Sequence, residues 1–306
     1  MKYYVLAMAA SVALAQSVTN TYIKDLNGQR VQAESVATGD HERTEITQNL
    51  NGRRIPMQQT DERVLKQDGN TKVVEKIVRK YDPNGKLAST DRLLIEEQTR
   101  PGGSTTRTTT YRTDVNGRME EIQRETAEVE SRGSGTKTET VIERPTINNS
   151  FQAVEKRVGV TETSGNTTHE DQTVYGRSEN GGYVVTAREV KDSTRAGNQT
   201  TEKDALYQAV GNNSQLQLTL QTVSTTATRP DGSESKEVNL YGSSWNGHVA
   251  DNQSGPQLRE QQIIERGKGS GGVTETLSVR RPTTSDPNKL GPLTRISETV
   301  CTGKCQ

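Results

Sequence analysis

The sequence predicts an all-β fold, an antiparallel meander of hairpins, and three observations carry that prediction. Turn-forming residues recur at a fixed interval, the segments between them alternate in polarity, and the composition leaves little material for a thick core. Gly85, Gly117, Asn149, Gly181 and Asn213 follow one another at 32-residue intervals, in PNGK, VNGR, INNS, ENGG and GNNS. A second series, Gly102, Ser134, Asn166 and Asn198, keeps the same interval between them. Asn-Gly and Asp-Gly pairs accept the positive φ that tight hairpin turns require, so each 32-residue unit is expected to hold one hairpin. Looser members, from LNGQ at Asn27 to SDPNK at Asn288, carry the pattern to both ends.

The strands are justified by their alternation. QLQLTLQTV places Leu216, Leu218 and Leu220 on one face and Gln215, Gln217, Thr219 and Gln221 on the other. FQAVEKRVGV and YVVTAREV are less strict and carry apolar residues on both faces. A helical solenoid of similar period would need Ala/Leu-rich faces at 3.6 spacing, which these segments lack. The expectation is about 17 strands of about 10 to 13 residues.

Only 28% of the 306 residues are apolar and 4% aromatic, and the mean hydropathy is −0.87. That favours a single-layer or gently coiled sheet, stabilised by many small cross-strand pairs, with a sandwich or barrel as the alternative. A membrane-crossing barrel fits the strand number but requires an apolar band and aromatic girdles, and so few aromatics argue against it. An open meander has two unpaired edges, expected near residues 22–26 and 293–300, with Lys24, Pro292 and Arg295 as edge guards.

Residues 1–15, MKYYVLAMAASVALA, read as a cleavable export signal with small residues Ala13 and Ala15 before the cut. Residues 16–300 form the hairpin array and residues 301–306 a cysteine-containing tail. The mature chain is expected to be secreted, extracellular or periplasmic, with no integral membrane segment after cleavage. In an oxidising compartment Cys301 and Cys305 are expected to form a disulfide, linkage between subunits being the alternative.

Acidic and basic residues balance at 39 each, so no net field steers the chain toward nucleic acid. His41, His169 and His248 fall in or near turns of different units without metal-ligand spacing. Asp82, Asp114 and Asp231 sit beside glycine-containing turns and read as turn formers rather than calcium ligands. No catalytic residue, cofactor site or metal site is expected. Trp245, the only tryptophan, together with Tyr241, marks an enlarged connection and is the candidate ligand contact, by stacking on a sugar ring or anchoring a partner. The five Asn-x-Ser/Thr triplets, at Asn148, Asn166, Asn198, Asn212 and Asn252, follow from a composition rich in Asn, Ser and Thr.

Tyr81, Asp82, Gly85, Lys86 and Leu87 in YDPNGKL resemble the core of the tyrosine-aspartate (YD, or Rhs) repeat. TDVNGRM keeps Asp114, Gly117, Arg118 and Met119 but has Thr113 in place of the tyrosine, and NLNGRRI keeps Gly52, Arg53 and, one place late, Ile55. The resemblance implies an exported β-hairpin array. The function expected from the sequence is a structural or cell-surface protein that assembles edge to edge with copies of itself. The alternative is a secreted glycan- or protein-binding module using the polar sheet face or the Trp245 connection.

Overall fold

The computed structural model describes residues 17–25, 30–114, 117–148, 150–210, 215–242, 256–269, 272–283 and 289–303. Eighteen strands account for nearly all of them. They are β1 (Ser17–Asp25), β2 (Arg30–Thr38), β3 (His41–Leu50), β4 (Arg53–Asp68), β5 (Thr71–Tyr81), β6 (Leu87–Arg100), β7 (Gly103–Thr113), β8 (Met119–Arg132) and β9 (Gly135–Pro145). There follow β10 (Phe151–Ser164), β11 (Thr167–Arg177), β12 (Tyr183–Ala196), β13 (Gln199–Ala209), β14 (Leu216–Thr228), β15 (Glu234–Gly242), β16 (Gln257–Gly269), β17 (Gly272–Arg280) and β18 (Thr294–Gly303). Each strand is antiparallel to the next in the chain, and β18 pairs with β1 from Thr19↔Gly303 to Asp25↔Ser297. The sheet is therefore closed into an 18-stranded barrel.

Closure corrects the expectation of an open single-layer or coiled sheet, and the barrel alternative describes the fold. It also removes the basis of edge-to-edge assembly. Tyr22 faces Val300 and Lys24 faces Glu298 within one chain, so the two strands expected to be free edges satisfy each other's backbone groups. An open-ended repeat array that builds filaments gives way to a ring with no end to extend. The secreted glycan- or protein-binding module is corrected as well, since the open sheet face it relied on is replaced by a closed tube with one face turned inward.

From β5 to β12 the strands alternate between 11 and 14 residues, which with their turns makes the 32-residue unit. The extra length of the even strands includes a β-bulge near their first residues. Ile122, Val154 and Thr186 are each left unpaired where the register shifts opposite Tyr111, Glu143 and Tyr175. Bulges in β4, β6, β14, β16 and β18 complete a ring of them around one rim. Two of the bulged threonines use their hydroxyls to satisfy the facing carbonyl: Thr186 Oγ1 donates to Val174 O at 3.2 Å and Thr219 Oγ1 to Leu206 O at 3.1 Å.

The two rims differ in their connections. At the rim where even strands lead into odd ones, residues 69–70, 101–102, 133–134, 165–166 and 197–198 make two-residue turns, and both β1 and β18 have their outer ends there. At the other rim the connections from β5 onward run to five residues and more, while β3 and β4 are joined by residues 51–52 alone. Asp82 shows why its sequence recurs: its backbone N–H donates to Lys86 O at 2.8 Å while its Oδ1 accepts from the N–H groups of Asn84 (2.9 Å) and Lys86 (2.8 Å). Asp114 repeats the arrangement, its N–H donating to Arg118 O at 2.8 Å and its Oδ1 accepting from Arg118 N–H at 2.7 Å. Gly85 and Gly117 have φ of 81° and 79°, the left-handed region that a Cβ disfavours.

Candidate functional site

The barrel register divides the wall into two faces, and burial tells them apart. Among the described residues, nine of the twelve buried non-glycine residues lie on one face: Thr21, Ser35, Val74, Asp91, Thr140, Ile142, Ser224, Val238 and Val279. Side chains on the concave side of a closed sheet converge and cover one another, so this face lines the lumen. The opposite face is the outside.

The lumen is polar. β7 contributes Thr106, Thr108 and Thr110, and β9 contributes Thr136, Thr138 and Thr140. Lys72, Lys76 and Lys80 stand on β5, while Glu170, Glu189, Lys191, Glu202 and Asp204 share the inner face of β11 to β13. Arg112 holds Asp91 through two guanidinium nitrogens at 2.7 and 3.2 Å, and Lys236 reaches Glu202 at 3.3 Å. No large side chain is fully buried among the described residues, and the accessible surface is 20506 Å². A globular protein of 33.6 kDa would expose only about 13,000 Å². Both faces of the wall are thus open to solvent, as in a hollow tube. Eighteen strands spaced at ~4.8 Å and tilted by about 40° give roughly 35 Å between backbone walls, wide enough for an aqueous passage.

On the outer face the aromatic residues are segregated. Tyr81, Tyr111, Phe151, Tyr175, Tyr183, Tyr207 and Tyr241, which are all the aromatic residues with described side chains, occupy this face, and all lie at the rim of long connections. Leu87, Leu218, Leu258 and Val185 stand opposite four of them in the register. The result is an apolar collar about two residue rows tall. Arg124 lies over the Phe151 ring at 3.9 Å and Arg92 over Tyr111 at 5.6 Å, immediately on the wall side of the collar. Below it the outer wall carries ion pairs: Arg92 with Glu75 at 2.6 Å, Arg188 with Asp171 at 2.6 and 2.9 Å, Lys156 with Glu139 at 2.7 Å.

The residues singled out by sequence do not converge on one site. Gly85, Gly117 and Gly181 are turn residues at the loop rim. Tyr241 is a collar residue, facing Leu258. His169 Nδ1 donates to the Asp192 carboxylate at 2.7 Å on the outer wall, and His41 stands 3.9 Å from Asp61. Trp245, His248, Asn149, Asn213, Cys305 and the export signal lie outside the described residues. Cys301 is on the inner face of β18, opposite Thr21, and its expected link to Cys305 falls on a residue outside the described ones. Among them no group of His, Cys, Asp and Glu is arranged to hold a metal ion. The collar is what sequence reasoning missed. Its signal was the 32-residue step from Tyr175 to Tyr207, with Tyr111 two steps earlier.

No protein-family model matches the chain, and no curated protein matches it in sequence. Solved structures do match it in shape. OccK3 (OpdO) of Pseudomonas aeruginosa superposes with a TM-score of 0.53 at 9% identity, over 95% of either chain. A triple mutant of the Rh. blastica porin gives 0.51 at 6% identity, over 94% of this chain and 99% of that one. OccK1 (OpdK) of Pseudomonas aeruginosa gives 0.50 at 10% identity, over 94% and 97%. At these identities the likeness concerns the fold. It corrects the exclusion of an integral membrane segment: no described helix is long and apolar enough to cross a bilayer, but the fold is one a porin has, and a barrel crosses with strands.

Proposed function

We propose that the chain is a channel of the cell envelope, a wide water-filled barrel through which small polar solutes diffuse. The observation that carries this reading is the closed 18-stranded wall around an unfilled lumen lined by threonine, lysine and carboxylate side chains. Supporting it are the even strand number, tight turns at one rim with longer connections at the other, and odd strands of 11 residues, close to the about 9–11 that a tilted strand needs to cross hydrocarbon. The barrel is held in an envelope membrane rather than released to the medium, with the aromatic collar at the lipid–water boundary on its loop side. Tyrosine suits that boundary because its ring favours the apolar side and its hydroxyl stays hydrated. The lumen performs no chemistry under this reading; it supplies hydrated width and exchangeable hydrogen-bond partners.

Proteoliposome swelling tests it. Vesicles containing the folded barrel should swell in isosmotic solutions of small sugars and not in large dextrans. Folded, vesicle-bound barrel that leaves sugar permeability at the lipid background would overturn the channel reading.

A further inference from the structure

The inner wall carries many charges, and their signs are ordered by strand. On β5, β7 and β9 the register places only basic charges on the inner face: Lys72, Lys76, Lys80, Arg112 and Arg144. On β6 and β8 it places only acidic ones: Asp91, Glu97, Glu120 and Glu125. The sign therefore alternates from strand to strand across this arc. Further round, the order is inverted. There β11 and β13 present Glu170, Glu202 and Asp204, and β12 between them presents Lys191 and Arg195 beside Glu189.

Alternation sets opposite charges face to face. Lys72 stands opposite Glu97, and Arg112 has Asp91 on one side and Glu120 on the other. Lys191 stands between Glu170 and Asp204. Several of the inner charges close into ion pairs: Arg112 holds Asp91 at 2.7 Å, Lys76 reaches Glu62 of β4 at 3.2 Å, and Lys236 of β15 reaches Glu202 at 3.3 Å. On β10 the pair forms within one strand, Arg157 Nε donating to Glu155 at 2.6 Å.

Distance decides what a passing ion feels. Facing residues on neighbouring strands have Cβ atoms about 4.5–5.5 Å apart, less than the Debye length of about 8 Å at physiological ionic strength. Toward the axis of a lumen roughly 35 Å wide, such a pair acts as a neutral unit. A passage that sorts solutes by charge uses rings or patches of one sign. Lys80, Arg112 and Arg144 recur at the 32-residue step and would begin such a ring, but Asp91 and Glu120 stand on the strands between them. The chain as a whole is balanced in the same way, with 39 acidic and 39 basic residues.

We infer that the channel admits small cations and small anions alike and selects by size, because strand-by-strand alternation of sign cancels the charge of its wall. The inference rests on the channel reading and adds to it the class of solute.

Reversal potentials of the full-length folded barrel in planar bilayers, under potassium chloride gradients at high and low salt, test it. The cation-to-anion permeability ratio should stay within about twofold of one, even near about 0.01 M salt, where a Debye length of about 30 Å reaches across the lumen and a wall of one sign would dominate. Unbalancing one row should create selectivity set by the charge left behind. Glu170→Gln with Asp204→Asn leaves Lys191 unopposed and should shift the low-salt ratio toward anions by about twofold or more. Lys72→Met with Lys191→Met should shift it as far toward cations. Lys203→Gln, a charge removal on the outer wall, should leave it unchanged. A parent ratio outside the twofold range overturns the inference while leaving the channel reading intact, and so do conducting variants that fail to move in opposite directions. Folded, inserted barrel without conductance overturns the channel reading and this inference with it.

Discussion

The arc from β5 to β14 and the seam between β18 and β1 are made of the same kind of strand, yet they are specified differently. In the arc every pair is joined by a short connection, and the register follows from turn residues and bulges a few positions away. Between β10 and β11 it runs unbroken from Glu155↔Gly176 to Ser164↔Thr167. At the seam Tyr22 pairs with Val300, and no turn sets that register. For a flexible chain, closing a loop of that length rather than a five-residue one costs about 3.5 kcal/mol more in entropy. The difference teaches that local sequence makes the hairpins, while the ring depends on its last strand matching both neighbours. Thr299 shows this, facing Glu275 on β17 and Ile23 on β1.

Breaking the seam should therefore have the largest effect. Thr299→Pro removes a backbone N–H from a strand paired on both sides and should cost more than about 3 kcal/mol. Deleting residues 293–306 should open the barrel outright, and the exposed edges of β1 and β17 should then make the chain associate. Light scattering checks this: the intact barrel should show no dependence of mass on these edges, and the deletion should form aggregates. A deletion variant as well behaved as the parent would contradict closure through β18.

Breaking the arc should cost less and stay local. Gly117→Val forces a β-branched side chain to a φ of 79° and should destabilise by more than about 1 kcal/mol in urea melts, with hydrogen exchange raised mainly in β7 and β8. A middle-sized effect belongs to the collar, which the arc supplies almost alone. Replacing Tyr111, Tyr175 and Tyr207 together by Ser should lower the yield of membrane-inserted barrel several-fold in vesicle flotation. The same number of substitutions among outer-wall threonines, such as Thr126, Thr173 and Thr201, should not.

Hairpins and their turns were legible in the sequence because the information is local: Asp82 and Gly85 close their turn with their own backbone and side-chain atoms. Closure was not legible because β1 and β18 carry no mutual signal beyond ordinary strand character. Edge guards such as Lys24 and Arg295 were read against a solvent edge, whereas Lys24 faces Glu298 across the seam. A membrane-crossing barrel was set aside because total aromatic content was weighed, whereas the fold gathers the aromatic residues with described side chains at one rim. Each bulge shifts strand parity by one residue, so a simple two-residue count along β12 or β14 assigns the faces wrongly beyond Thr186 or Thr219. That is why Leu216 and Leu218 share the outer face with Tyr207 while Leu220 pairs with Leu206 on the inner one.

The smallest expected effect concerns the long turn at the tight-turn rim. Ser233 holds the Asp231 carboxyl below its ordinary range, through its hydroxyl first and then its backbone N–H. A depressed value in the fold means that this contribution is present at neutral pH and is lost as pH falls through the folded-state value. Ser233→Ala should raise the Asp231 midpoint in an NMR titration while leaving global stability nearly unchanged. A midpoint that does not move would assign the shift to some other group.

The central claim is a water-filled lumen bounded by one face of the wall, and single-channel conductance tests it most directly. Thr138 lies on the inner face and Thr126 on the outer face by register. The barrel should open stepwise ohmic conductance in a planar bilayer. A bulky thiol reagent should reduce each step in a Thr138→Cys variant and leave Thr126→Cys untouched. Absence of conductance from folded, inserted barrel, or equal block through both positions, would contradict the account.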